Sequence, residues 1–282
     1  MDVTQTFHVA TSAIALYNSC ETLLLVFTKF SKYSGLYFWS LVLASGSLIP
    51  FVLSYLDLFY GWYAANSTIY RPLIIVTIGW YCMVTGFSMV MYSRLGLVGI
   101  DPKQIRYVRY FIIFNIIFSH FLTTVFTFGS NVIGTEPWTV GYSIIEKIQV
   151  TLFCLQETIL GAMYIHSFSR KTMFDSLSTP FVMRQIAANV FVLILDISVL
   201  VTEYVNLYNY QVMLKASVYS IKIKFEFYIL SQLATRLKLE SGRNNSLTGG
   251  NDRVGGPSAV VPSGPVVVVA PKPTSNALRS VP

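Results

Sequence analysis

The chain is 282 residues long with a mean hydropathy of +0.57, and 54% of it is hydrophobic against only 12% charged. Soluble domains carry about 25% charged residues, so this composition excludes an ordinary soluble enzyme or binding module. The formal charge of +7 is spread along the chain, and without a basic patch or arm it does not point to nucleic acid.

The N-terminal stretch Met1–Ala10 has no basic n-region, and Glu21 interrupts the apolar run behind it. It therefore reads as a short outer tail, residues 1–7, leading into a retained helix and not as a cleavable signal. Seven segments are long enough to cross a bilayer as helices, at about 8–28, 36–58, 73–93, 109–128, 142–167, 185–205 and 208–231. Lipid leaves no place for open sheet edges. The expected fold is all-α: a polytopic membrane protein with one seven-helix transmembrane domain over 8–233.

Charge between the spans sets the orientation. The first, third and fifth connections and the C-terminal tail hold fifteen Lys and Arg, whereas the opposite side holds only Arg71. By the positive-inside rule the N-terminus lies outside and the C-terminus in the cytoplasm. A glycosylation sequon at Asn66-Ser67-Thr68 falls in the second connection, on the expected outer side. In the second span Pro50 follows Ala44-Ser45-Gly46-Ser47, and in the third Gly79, Cys82 and Gly86 line one face. Small faces of this kind let helices approach closely.

From Ser241 onward six Gly, six Pro and six Ser occupy 18 of 42 positions with no aromatic residue, too little apolar surface to fold. Residues 234–282 are accordingly expected to form a disordered cytoplasmic tail.

The unusual feature is charge inside the spans. Asn189, Asp196 and Glu203 are seven residues apart and share one stripe. Gln211, Lys215, Lys222 and Glu226 form a second stripe in the next segment, while Glu146, Gln149, Gln156 and Glu157 lie roughly on one side of the fifth. An ionisable group at membrane depth costs at least ~2.5–3.5 kcal/mol, so such groups face protein or water. Counted by depth, Glu146, Lys147, Glu203 and Lys215 form an outer level, and Glu21, Glu157, Asp196 and Lys222 an inner one. Lys224 and Glu226 fall near the cytoplasmic end, where they can snorkel. Two readings fit: interhelical salt bridges that fix rotation and register, or a polar cavity among helices 1, 5, 6 and 7 for a ligand, ion or proton.

Other chemistry is poorly supported. His8, His120 and His166 come from different depths and cannot meet at one metal, and Cys20, Cys82 and Cys154 sit in apolar runs without metal or redox spacing. No cofactor motif and no catalytic constellation is present, so a non-enzymatic role is expected. A retinal-bearing lysine at Lys215 or Lys222 lacks the surrounding motif of the microbial rhodopsins.

Several stretches, among them Ile14-Ala-Leu-Tyr-Asn18, Gly35-Leu-Tyr-Phe-Trp-Ser40, Ile78-Gly-Trp-Tyr-Cys-Met-Val-Thr-Gly86, Thr127-Phe-Gly-Ser-Asn131 and Val218-Tyr-Ser-Ile-Lys-Ile-Lys224, carry a resemblance. Over most of residues 10–233 the chain resembles a fungal family of uncharacterised seven-helix integral membrane proteins, a domain of unknown function. More loosely it is similar to fungal receptor-like seven-helix proteins linked to pathogenicity. That similarity implies a cytoplasmic coupling role for Arg94, although the triplet here is Tyr92-Ser93-Arg94. The expectation is a receptor-like protein of the plasma membrane or an endomembrane, partnered by the bilayer, a small-molecule ligand and a cytoplasmic signalling protein. The alternative is an ion- or proton-coupled transporter or channel working through the carboxylates and lysines.

Overall fold

Seven α-helices build the computed structural model, and no strand occurs among the described residues, which are 2–30, 33–61, 69–97, 99–174 and 179–248. The helices are α1 (Val3–Lys29), α2 (Leu36–Tyr60), α3 (Tyr70–Leu97), α4 (Pro102–Phe128), α5 (Glu136–Phe174), α6 (Thr179–Tyr204) and α7 (Tyr208–Thr248). Six of them are long and apolar enough to cross a membrane. The exception is α7, which carries Lys215, Lys222, Lys224 and Glu226. It also continues to Thr248, past the expected end near 231. Asn66 and residues 249–282 of the expected tail lie outside the described residues.

Local sequence explains the helix ends. Asp2 caps α1, accepting from the Val3 amide at 2.8 Å, while Gln5 reaches back to the Asp2 amide and completes a capping box. Asp101 and Pro102 start α4 by the same logic, with Asp101 accepting from the Lys103 amide. Gly61 ends α2 in a left-handed conformation that costs glycine little. The α6–α7 connection turns on Asn206, a non-glycine residue at φ 61°.

In space, α7 packs against α1 and α6 and also touches α2 and α3. The two expected small faces meet in the α2–α3 seam. A Cβ added at Gly86 would lie 2.8 Å from the Ala44 Cβ and 2.9 Å from its backbone nitrogen, and one at Gly79 would lie 2.9 Å from the Phe51 Cβ. Gly86→Ala is therefore expected to force the seam apart, at a cost of about 1–3 kcal/mol. Gly96→Ala, with nothing within 4 Å of the added atom, should be neutral. Thermal unfolding of the two variants in detergent checks the contrast.

The main apolar core runs through α1, α2, α3, α5 and α7 around Leu48, Met83, Phe87 and Tyr219, and takes in Val108 and Ile112 of α4. A second, smaller cluster joins Val150 of α5, Val199 of α6 and Val218 of α7. Helix α4 is peripheral, leaving Phe114, Ile117 and Phe121 exposed along one face, as a lipid-facing helix should.

Candidate functional site

Polar groups of α5, α6 and α7 stack in three layers along the bundle, counted here from the α6–α7 turn. In the first, Lys215 Nζ lies 2.7 Å from Glu146 Oε1 and 2.6 Å from Glu203 Oε2. In the second, Lys222 Nζ bonds Glu157 Oε2 at 2.8 Å and also bonds Asp196 Oδ1, while the Tyr219 hydroxyl donates to Glu157 Oε1 at 3.0 Å. Each of these two layers pairs two carboxylates with one lysine. The repeat follows from spacing: Lys215 to Lys222 and Glu203 to Asp196 are both seven residues, a rise of roughly 10 Å.

Between these layers sits the valine cluster, with Val150 four residues after Glu146, Val199 three after Asp196 and Val218 three after Lys215. An apolar slab thus separates the two charged ones. Helices α5 and α7 have no close backbone contact among the described residues, so the long Glu and Lys side chains bridge the space between them.

The third layer joins α3 to α6 and α7. Arg94 Nη1 donates to both oxygens of Glu226, at 2.9 and 2.7 Å, and Nη2 donates to Asn189 Oδ1 at 2.8 Å. The guanidinium also lies 3.8 Å over the Tyr164 ring. One planar group thus holds Glu226 and Asn189 through two nitrogens while stacking on a ring, which the point charge of a lysine cannot do.

The structure corrects several sequence expectations. Glu21 does not join Lys222: it lies 2.6 Å from Lys224, in a half-exposed pair that also includes Asn18. Lys222 and Lys224 are two residues apart, hence on nearly opposite faces of α7, and α1 packs on the Lys224 face. Glu226 does not snorkel; it is 1% exposed and held by Arg94. Arg94, itself 1% exposed, offers no surface to a cytoplasmic protein in this conformation. Lys147 stays out of the first layer and donates to Asn206 Oδ1 at 2.6 Å, on the rim. Gln156 turns away from Glu157, accepting from Asn115 and donating to Ser88 between α4 and α3. Sequence reading passed over that network, although Asn115 is the lone amide in an apolar span and signals it. His120 contacts Thr85 and stacks on Tyr81, far in the fold from His8 at the Tyr60 end of α2.

Two adjoining cavities, which share three lining residues, open onto the first layer. One, of about 370 Å³, is a polar vestibule lined by Ser143, Asn206, Gln211, Glu203 and Glu146. The other, of about 80 Å³, is faced by Phe51, Tyr55, Trp80 and Tyr81, with Thr123, Gln149 and Lys215 among them. Asn131, Tyr142 and Glu146 line both. The expected cavity among helices 1, 5, 6 and 7 is thus displaced toward α2, α3 and α4, because α1 packs on the far side of α7. Neither lining includes Glu157, Asp196 or Lys222.

No curated protein and no solved structure matches the chain. The family described as Domain of unknown function (DUF7703) matches residues 2–244, every helix and all three charged layers but the last residues of α7, and the chain belongs to that family.

Proposed function

We propose that the protein is a receptor-like seven-helix membrane protein, with its N-terminus outside and its C-terminus in the cytoplasm, that binds a small ligand in the cavity above the first charged layer. The fifteen-to-one division of Lys and Arg supports the orientation, and puts the α6–α7 turn and the vestibule outside. As the seventh span, α7 has its charges paired within the bundle, which makes its crossing tolerable.

The observation that carries the reading is the order of layers. The two cavities end on Lys215, Glu146 and Glu203; the valine slab follows, then the second layer, then the Arg94–Glu226 pair. A ligand touching the first layer can bias α5, α6 and α7 against one another, and the lower layers on the same helices register the shift. This arrangement favours coupling between two ends over passage through the middle.

One observation favours the second reading, a proton- or ion-coupled transporter: both upper layers have one more carboxylate than lysine, and a proton or cation could fill the difference. Flux into proteoliposomes under an imposed potential separates the two. The receptor reading expects no proton or cation flux from wild type or from Asp196→Asn, which keeps a one-to-one Lys222–Glu157 pair and should remain folded. Flux that Asp196→Asn abolishes would overturn it.

A further inference from the structure

The first layer is the place where charge, shape and unused hydrogen-bonding groups coincide. Glu146 and Glu203 are buried with side-chain exposures of 10% and 2%, and among the described residues Lys215 is the one cation in ion-pair contact with them. The other cation of the rim, Lys147, is turned to Asn206. The floor of the vestibule therefore holds one more carboxylate than lysine, where burial makes an uncompensated charge expensive.

Polar atoms without partners among the described residues belong to side chains that line the two adjoining cavities. Gln211, 3% exposed, gives its amide nitrogen to Glu146, and its carbonyl oxygen has no partner among the described residues. Deeper, Gln149 Nε2 and Thr123 Oγ1 are also unpartnered, with Gln149 2% exposed and Thr123 7% exposed. Buried groups of this kind call for a partner.

We infer that the cavity binds a small primary amine, its ammonium held by Glu146, Glu203 and the Gln211 carbonyl, and its apolar body against Trp80 with a polar group at Gln149. Three acceptors at one end match the three N–H donors of a primary ammonium. The added positive charge cancels the excess carboxylate without displacing Lys215. The Trp80 face, which already has Lys215 Nζ 5.7 Å from its ring centroid, suits an apolar group attached to a cation. At the far end the amide donor of Gln149 and the hydroxyl of Thr123 suit a hydroxyl on the ligand. An anion would meet two carboxylates, and a quaternary ammonium would leave the Gln211 oxygen unbonded.

The inference rests on reading this cavity as a ligand site. Its test is thermal unfolding of the full chain in lipid nanodiscs with tyramine, its N-trimethyl analogue and 4-hydroxyphenylacetate at millimolar concentration. Tyramine should raise the midpoint saturably, the trimethyl analogue should bind about tenfold or more weakly, and the acid should do nothing. Glu146→Gln, which leaves a one-to-one Lys215–Glu203 pair, should abolish the tyramine shift. Gln211→Leu should weaken it without a change of charge, and Asp196→Asn should leave it intact. No tyramine shift, an equal shift with the acid, or an unchanged shift in Glu146→Gln and Gln211→Leu overturns the inference. Stabilisation by the acid alone would sink the amine and leave the receptor reading standing, whereas flux in proteoliposomes would sink the receptor reading whatever binds.

Discussion

Lys222→Met should yield almost no folded protein. The substitution leaves Glu157 and Asp196, with side-chain exposures of 0% and 5%, facing each other without a cation. Removing one partner of a buried ion pair costs about 3–5 kcal/mol, and here two carboxylates lose the same partner. A domain held by ~5–15 kcal/mol has little margin for that. The triple variant Lys222→Met, Asp196→Asn, Glu157→Gln should recover most of the folded protein, because no buried charge then remains in the second layer. Lys224→Met should be nearly silent, since its pair with Glu21 is 22% and 29% exposed. Monodisperse recovery after solubilisation, followed by thermal midpoints, reads all three. A stable Lys222→Met protein would mean that the second layer does not form.

Arg94→Met should be the next most damaging change. It removes two hydrogen bonds to Glu226 and one to Asn189, and strips the stack from Tyr164. Glu226 is left 1% exposed with no counter-charge, again a loss of about 3–5 kcal/mol. Arg94→Lys keeps the charge but cannot hold Glu226 and Asn189 through two nitrogens or keep the stack, so it should fall between wild type and Arg94→Met. Removing both charges, in Arg94→Met with Glu226→Gln, should cost less than the sum of the two single changes. A double-mutant cycle checks this, with a coupling above about 1 kcal/mol expected for residues in direct contact. Strict additivity would show that the pair contributes nothing as a pair.

Much of this site was legible because helical period is legible. Asn189, Asp196 and Glu203 had to share a stripe, and so did Lys215 and Lys222, whatever their partners. Depth counting then grouped Glu146 and Glu203 with Lys215, and Glu157 and Asp196 with Lys222, as the structure does. What failed was neighbour choice. Glu21 has a depth like that of Lys222, but α1 meets the other face of α7. Glu226 lies near the end of its apolar run and looked free to reach water. Its partner is Arg94, 132 residues away on α3, and only helix packing brings them together. The valine slab was likewise written in the sequence at three- and four-residue offsets from the charges. It means nothing until α5, α6 and α7 are known to be neighbours.

In the proposed orientation the first charged layer opens to the outside while the second lies behind the valine slab. An impermeant thiol reagent tests it on sealed right-side-out vesicles, in a background with Cys20→Ser and Cys82→Ser. Ser143→Cys places a thiol in the vestibule, and the native Cys154 sits on α5 three residues before Glu157. The account predicts rapid labelling of Ser143→Cys from outside and none of Cys154 from either side. Labelling of Cys154 at a comparable rate, or reaction of Ser143→Cys only in inverted vesicles, would contradict it.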